Sequence, residues 1–267
     1  MSVEKLCGEE AKRLVMRSPK YWPLVLQMYW KSLKNALPAK VFRASYFFCR
    51  HLDDVLDGDR KISDDPEQYV QDVLDSMRKG KGGPEIVELY RFAISHLVDM
   101  AKNEDDPELH FRRVIEDAML FDYRRAQTRR ILTKEGLEKY YQDTFAPVLD
   151  LALMIAGSSL RSDDMPEAIT TQGHLYSVRD LQADLKQGIV NIPKEELPPS
   201  QVVAAFTDHD VASDPHVSQW IKREVATQHQ LLKQWKRRLT DNGSREVCMP
   251  LIWEMDIYCR LHKLGII

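Results

Sequence analysis

Apolar residues recur at three- and four-residue spacing along most of the chain, which is the repeat of an amphipathic α-helix. Clear examples are the segments VFRASYFFCRHLDDVLD, EIVELYRFAISHLVDMAK and GLEKYYQDTFAPVLDLALMIAG. Alternating apolar and polar runs, which would indicate strands, are nearly absent. Short segments with turn chemistry, such as KGKGGPE and TDNGSRE, separate the helical ones. The pattern therefore predicts an all-α protein of about eight helices.

No internal repeat or low-complexity segment divides the chain. At 267 residues it is long enough to bury a sizeable core. We predict one all-α domain over residues 1–267, built as a helical bundle around a central cavity. The loop Asp57–Pro66 and the loop after Gly188 are expected near the mouth of that cavity.

The overall charge does not favour a nucleic-acid partner. The formal net charge is −3 and the sequence pI is near 6.3, whereas nucleic-acid-binding domains usually carry a clear positive excess. The local basic stretch Arg124–Arg130 faces either phosphate or solvent, and a solvated helix face is the favoured alternative. One possible interpretation of Asp122, beside this stretch, is half of a weak surface ion pair.

The cysteines and the N-terminus bear on the compartment. The four cysteines show no CxxC spacing, and Cys49 lies in an apolar helical run, which favours free thiols and a reducing environment. The first residues, MSVEKLCGEEAKRL, contain acids and lack the apolar core of a signal peptide. No apolar run approaches the roughly 20 residues that cross a bilayer. We expect a cytoplasmic protein, with contact at a membrane surface left open.

Two aspartate pairs carry the candidate chemistry. In each pair the aspartates are four residues apart and follow an arginine, so both carboxylates lie on one side of a helix. The residues are Arg50, Asp53 and Asp57 in the first segment and Arg179, Asp180 and Asp184 in the second. The first pair interrupts a strongly apolar run, where unpaired acids are costly.

The residue types at these positions suit one kind of ligand. Mg²⁺ prefers oxygen ligands and is commonly held by a few carboxylates together with phosphate oxygens. Arginine supplies bidentate, permanently charged donors to phosphate. If the two helices face each other, four carboxylates converge, and we predict a Mg²⁺ site that holds a diphosphate.

Three segments resemble the squalene/phytoene synthase family over roughly residues 40–200. YFFCRHLDDVLD is similar to the first aspartate-rich motif of the family, and VRDLQADLKQGIVNIP is similar to the second. MLFDYRRAQTRRILTKEGLEKYYQDTFAPVLDLALMIAG resembles the segment between them. The resemblance implies an isoprenoid-synthase-type bundle and Mg²⁺-dependent, head-to-head coupling of two prenyl diphosphates.

The resemblance also implies roles for individual residues. By position, Asp53, Asp57, Asp180 and Asp184 would hold Mg²⁺, while Arg50, Arg179 and Tyr46 would contact the diphosphate. Asp54 is doubtful as a ligand because it points about 100° away from Asp53. Lys186, two residues after Asp184, is either a further diphosphate contact or a solvated lysine.

Four more residues are candidates for a substrate pocket: Tyr141, Gly173, His174 and Tyr176. Tyr141 stands where the family has a pocket tyrosine, and it either stabilises a cation with its ring or packs in the core. Gly173 and Tyr176 stand where the family usually carries Gln and Asn. His174 is either a base or a hydrogen-bonded core histidine.

The departures from the family pattern keep a second function open. FAPVLD places Pro147 and Leu149 where the family has glycines, and GIVNIP replaces Gly-Arg-x-Tyr-Leu-Pro. These changes favour a smaller or different cavity. Coupling to a second prenyl diphosphate is the leading hypothesis, and transfer to an aromatic small molecule or cyclisation of one prenyl chain is close behind.

A non-catalytic relative that serves as a scaffold is the rival from another class. Four mutually repelling carboxylates speak against it, because a scaffold does not need them. Tight binding of Mg²⁺ with pyrophosphate would separate an enzyme from a scaffold. A di-iron bundle is excluded, since the Glu-x-x-His pairs that it requires do not occur.

Overall fold

The computed structural model describes residues 2–31, 36–101, 105–197, 211 and 214–266. Within these ranges the regular structure is helical and no strand is present, so the predicted all-α class is confirmed. The chain forms two compact units, Met1–Leu120 with Met154–Gly157 and Phe121–Leu153 with Ser158–Ile267. The single domain over residues 1–267 stays a prediction.

The first unit carries the first aspartate pair at the end of its third helix. Its helices are α1 (Val3–Arg17), α2 (Trp22–Lys31), α3 (Ala36–Leu56), α4 (Pro66–Lys79), α5 (Val87–Met100) and α6 (Pro107–Arg113), followed by a π-helical turn, Val114–Met119. Phe48 of α3 contacts Tyr90 and Phe111, with ring centroids 5.5 and 5.9 Å away. This buried aromatic cluster holds α3 in place, and with it the carboxylates that follow.

The second unit carries the second aspartate pair. Its helices are α7 (Leu120–Thr128), α8 (Lys134–Ile155), α9 (Pro166–Gln187), α10 (Pro215–Arg238) and α11 (Asn242–Lys263). Trp220 and Trp235 of α10 are fully buried in the same apolar core as Leu175 and Val178 of α9. The core thus fixes one side of α9 and leaves its aspartates on another side.

A glycine ends α9 and redirects the chain. Gly188 has a φ of 84°, a left-handed conformation that favours glycine. A Cβ at this position would also lie 3.2 Å from the carbonyl oxygen of Ala126 in α7. The next amide, of Ile189, donates to the carbonyl of Asp184 at 2.9 Å. The turn brings the following residues back alongside the last turn of α9.

Among the described helices, none is both long enough and apolar enough to cross a membrane. All four cysteines are free thiols, and Cys7, Cys248 and Cys259 are buried. The prediction of free thiols is therefore confirmed.

Candidate active site

The first half of the candidate site lies at the end of α3. Arg50 donates from Nη1 to Oδ2 of Asp53 at 2.7 Å. Asp54 points away from this pair and is buried, with ion pairs to Arg50 at 2.7 Å and to Arg17 at 2.9 Å. Asp54 therefore links α1 to α3, whereas Asp53 is half-buried and Asp57 is exposed.

The surroundings of Asp57 disfavour the charged form of its carboxyl group. Partial removal from water, followed by the negative charge of Asp53, raises the pKa of the exposed Asp57 carboxyl to about 7. Two carboxylates at four-residue spacing repel each other unless a cation lies between them. An oxygen-only pair of this kind fits Mg²⁺, which takes carboxylate oxygens and keeps waters or phosphate oxygens in its other positions.

Tyr46 and Arg50 form the polar edge of this half. The ring of Tyr46 packs on Phe47 at 5.4 Å, and burial raises the pKa of its hydroxyl to about 12, so the hydroxyl stays a neutral donor. Arg50 lies with its guanidinium 5.8 Å from the ring centroid of Tyr21. Both residues can donate hydrogen bonds to an oxyanion, as the prediction for a diphosphate requires.

A cluster of charged and polar residues, mostly buried, holds the loop after α3 in place. Arg60 donates to both oxygens of Glu10 at 2.8 and 2.7 Å, and its amide donates to the carbonyl of Asp54 at 2.8 Å. Burial opposes ionisation of Glu10, but hydrogen bonds from His51 and Arg60 lower its pKa to about 2. His51 also bonds to Tyr69 at 2.9 Å, so it is a hydrogen-bonded core histidine.

The second half of the candidate site lies on α9. Arg179 donates to both oxygens of Asp180, at 2.9 and 2.7 Å, and to Glu254 of α11 at 2.7 Å. Its guanidinium lies 4.2 Å from the ring centroid of Tyr176. Arg179 is thus saturated by carboxylates, and a diphosphate would have to replace at least one of them.

Asp184 is held by a residue from the turn after α9. Nδ2 of Asn191 donates to Oδ2 of Asp184 at 2.8 Å, and Oδ1 of Asn191 accepts from Arg125 at 2.5 Å. Burial raises the pKa of Asp184 to about 7, against the effect of the Asn191 hydrogen bond. One oxygen of Asp184 is fixed, and its carboxylate gains from a nearby cation in the same way as Asp57.

The structure corrects the sequence interpretation of the α7 region. Arg125 is not a solvated residue, because its side chain is only 1% exposed and pairs with Asp122 at 3.4 Å. Its guanidinium lies 4.7 Å from the ring centroid of Tyr140, whose hydroxyl donates to Asp122 at 2.5 Å. Asp122 is half-buried and accepts from the buried Tyr140 and pairs with the buried Arg125, so it is not half of an isolated surface pair.

Arg125 and Asn191 are site residues that sequence reasoning missed. Arg125 lies in an arginine-rich stretch, RRAQTRR, in which spacing alone does not distinguish the buried member. Asn191 stands where the resembling family has a tyrosine, in the segment GIVNIP that departs from the family pattern. The side chain of Asn191 donates a hydrogen bond to Asp184. The sequence does not indicate this contact, because it depends on the turn after Gly188.

Gly173 and Tyr141 form a single packing unit. A Cβ at Gly173 would lie 2.2 Å from Cγ of Tyr141, so the glycine creates the space that the buried ring fills. Tyr141 contacts His174 edge to face at 5.0 Å and Phe145 at 6.4 Å, and Phe145 contacts Tyr176 at 5.8 Å. The predicted pocket residues are therefore neighbours in one aromatic cluster.

His174 is a poor base in this setting. Its Nε2 pairs with Glu138 at 2.8 Å and its Nδ1 with Glu224 at 3.0 Å. Burial opposes its charge, but the hydrogen bonds to both glutamates raise its pKa to about 9. The imidazole is a buried cation between two carboxylates, which agrees with the core-histidine alternative.

Two smaller observations complete the described surface of the second half. Lys186 is exposed on the last turn of α9, and its contact with a diphosphate stays a prediction. A shallow open cleft with a cavity volume of about 10 Å³ lies between α9 and α11, lined by Leu175, Tyr176, Arg179, Glu254, Met255 and Tyr258. It is smaller than ligand pockets usually are, so we do not assign a prenyl chain to it.

Each half contributes two carboxylates on its own. Within the part of the chain that the structure describes, no group of three or more His, Cys, Asp or Glu side chains forms a ready metal site. The donor chemistry of both halves fits Mg²⁺, since both are all-oxygen and both contain a carboxyl with a raised pKa. The convergence of all four carboxylates stays a prediction.

An all-α fold with two arginine-flanked aspartate pairs defines the class of isoprenoid-synthase-type proteins. The family model for squalene/phytoene synthase matches residues 39–264, and the chain belongs to this family. The match extends well beyond residues 40–200, where the sequence resemblance was found. A search of curated proteins finds no significant match.

Proposed function

We propose that the protein is a Mg²⁺-dependent prenyltransferase that ionises an allylic prenyl diphosphate and couples it to a second prenyl diphosphate. The observation that supports it most is the family match together with the two arginine-flanked carboxylate pairs at the ends of α3 and α9. Members of the family are prenyltransferase-type enzymes. Head-to-head coupling is the reaction that the family name implies.

The chemistry requires charge to be neutralised on the departing diphosphate. Bound Mg²⁺ would act as a Lewis acid on the phosphate oxygens, held by Asp53 and Asp57 from one helix and by Asp180 and Asp184 from the other. These carboxylates orient the leaving group from rigid helices, which favours ionisation over binding alone.

The other residues of the site have supporting roles. Arg50 and Tyr46 would donate hydrogen bonds to the diphosphate from the first half of the site. Arg179 would do the same from the second half once a phosphate oxygen replaces Glu254 as its hydrogen-bond acceptor. Asn191 and Arg125 would act as positioning residues for Asp184. Residues of this kind around metal ligands typically change metal affinity tenfold to a hundredfold when they are mutated.

A second candidate function is transfer to an aromatic small molecule, or cyclisation of one prenyl chain. It is favoured by the aromatic cluster around Gly173, where the family usually carries polar Gln and Asn side chains. Tyr141 fills the space beside that glycine, and Tyr176 covers Arg179. Aromatic faces at these positions would stabilise a carbocation and would reduce the room for a second long chain.

The test is pyrophosphate release in the presence of Mg²⁺ from allylic diphosphates of five, ten, fifteen and twenty carbons, each supplied alone. Mass analysis of the organic extract identifies the product. A coupled product of two chains supports the leading proposal. Release from one chain without coupling, or only after a non-prenyl acceptor is added, supports the second candidate. No release and no Mg²⁺-dependent pyrophosphate binding would leave the scaffold hypothesis.

A further inference from the structure

Glu254 of α11 accepts a hydrogen bond from Arg179, the arginine of the second half of the candidate site. Oε1 of Glu254 lies 2.7 Å from Nη1 of Arg179. The other edge of the guanidinium donates to both oxygens of Asp180, at 2.9 and 2.7 Å. Three of the five N–H donors of Arg179 are therefore committed to carboxylates, and two different helices supply those carboxylates.

The packing of α11 holds Glu254 beside α9. Met255 and Cys259 of α11 are buried, and Asp256 pairs with His229 of α10 at 2.9 Å. These contacts fix the rotation of α11 about its axis, so Glu254 lines the cleft that α11 shares with α9. The contact with Arg179 thus follows from the fold of the second unit.

The charge around Arg179 opposes the binding of an anion. One guanidinium lies between two carboxylates, so the three side chains together carry a charge of −1. An anion that binds Nη1 must displace Glu254 and then stay close to two carboxylates that repel it. The side chains of Arg179, Asp180 and Glu254 are 39%, 44% and 53% exposed, so water and salt weaken this repulsion.

We propose that Glu254 makes the second half of the site selective for Mg²⁺-bound diphosphate over metal-free diphosphate. The inference rests on the proposed function, in which Arg179 binds the diphosphate and Asp180 holds Mg²⁺. Metal-free diphosphate meets the charges of both Asp180 and Glu254. With Mg²⁺, the charges of Asp180 and of the diphosphate are largely neutralised, and only the exchange at Nη1 of Arg179 opposes binding.

Such selectivity would serve the proposed reaction. A diphosphate without Mg²⁺ is a poor leaving group, because nothing neutralises the charge that builds up on its oxygens. If it bound to Arg179, it would occupy the site without reacting. Glu254 would weaken this unproductive binding.

Two variants of α11 separate the contact from a general effect of charge. Glu254→Gln removes the charge but keeps the length of the side chain and an oxygen that can accept from Nη1 of Arg179. Asp256→Asn removes one charge from the same helix two residues away. The partners of Asp256 are His229 and Arg260, at 2.9 and 2.7 Å, so this control leaves the contact between Glu254 and Arg179 intact.

The test is isothermal titration calorimetry of the full chain with sodium pyrophosphate, in excess Mg²⁺ and in EDTA. We expect Glu254→Gln to bind metal-free pyrophosphate about threefold to tenfold more tightly than wild type does. Its affinity in excess Mg²⁺ should change less, so the ratio of the two affinities falls. Asp256→Asn should keep the wild-type ratio, and urea unfolding should confirm that both variants are folded.

The possible results distinguish this inference from the proposed function. Wild-type protein that binds pyrophosphate with Mg²⁺, together with an unchanged ratio in Glu254→Gln, would overturn the role of Glu254 alone. An equal fall of the ratio in Asp256→Asn would overturn it too. Weaker binding of Glu254→Gln in both conditions would mean that Glu254 positions Arg179 and does not select the ligand. Wild-type protein that does not bind pyrophosphate with Mg²⁺ would overturn both the inference and the proposed function.

Discussion

Asn191 donates a hydrogen bond from its side-chain amide to Asp184 at 2.8 Å. The two residues are separated by the left-handed turn at Gly188, so the contact depends on how α9 ends. Behind Asn191, the buried Arg125 donates to its carbonyl oxygen. These two hydrogen bonds thereby fix one oxygen of Asp184.

Asn191→Asp tests this relationship with almost no change in shape. The new carboxylate gains an ion pair with Arg125 but replaces the donor to Asp184 with a like charge, so we expect the free energy of unfolding to fall by about 1–3 kcal/mol. Affinity for pyrophosphate in the presence of Mg²⁺ should fall about tenfold or more. Isothermal titration calorimetry and urea unfolding measure the two quantities.

The double variant Asp184→Asn/Asn191→Asp exchanges the two side chains. It distinguishes the effect of the position of the carboxylate on ligand binding from the effect of the hydrogen bond on stability. It restores a hydrogen bond between the two positions but moves the carboxylate from α9 to the turn. We expect normal stability without recovered Mg²⁺–pyrophosphate binding. If Asn191→Asp binds as wild type does, the positioning role is wrong. If wild type itself does not bind, the proposed function is wrong.

Neighbouring aspartates on α3 should respond to mutation in opposite ways. Asp53→Asn should abolish Mg²⁺-dependent pyrophosphate release while leaving the fold as stable as before or more stable, since repulsion with Asp57 is relieved. Asp54→Asn should destabilise the protein by about 3 kcal/mol, because Asp54 is buried against Arg17 and Arg50. Steady-state assays and chemical unfolding of both variants provide the comparison, and equal loss of stability would contradict it.

Gly173→Ala should disrupt the packing of α8 on α9. The added methyl group would lie 2.2 Å from Cγ of Tyr141, which is buried and cannot rotate away. We expect a loss of about 1–3 kcal/mol, the usual cost of overpacking a core. Gly8→Ala in α1 is the matched control, since nothing lies within 4 Å of its Cβ, and it should stabilise the protein by up to about 1 kcal/mol.

A variant of Tyr141 tests whether the contact with its ring causes the loss of stability in Gly173→Ala. Replacing Tyr141 with leucine opens space beside the glycine, so Gly173→Ala should cost less in a Tyr141→Leu background than in wild type. Thermal unfolding of the four proteins gives the coupling between the two sites. Additive effects would show that the steric contact does not determine the loss.

The stability of the second unit should depend on the charge of His174. Its pKa is raised from 6.5 to about 9 in the folded protein, so the folded state binds the proton more tightly. The contribution is therefore full below pH 6.5, declines as the pH rises and is lost above about pH 9, with an upper limit of about 3 kcal/mol.

Urea unfolding between pH 6 and pH 10 measures this dependence against His174→Gln. The difference between the two profiles is the relevant quantity, because buried cysteines such as Cys248, whose pKa burial raises to about 12, also lower stability at high pH in both proteins. We expect the difference to shrink as the pH rises. A difference that grows or stays constant would mean that His174 is not a buried cation.

The sequence by itself determined the helical class, the two aspartate pairs and the family. Helical periodicity depends on local spacing, and a pair such as Asp53 and Asp57 is brought to one side of a helix by geometry that needs no tertiary contact. Spacing also placed Asp54 away from its neighbour, as the structure shows. These features depend only on residues that are close in sequence, so the sequence alone predicts them.

The tertiary structure alone decided which polar residues are buried and what they contact. Arg125 and Asn191 are 66 residues apart, and His174 meets Glu138 and Glu224 from two other helices. No periodicity encodes such pairings, because burial of a charge depends on partners that folding brings together from distant segments. The sequence likewise shows that Gly173 departs from the family pattern, but it does not show why. Only the tertiary structure shows that the ring of Tyr141 occupies the space that a side chain at residue 173 would fill.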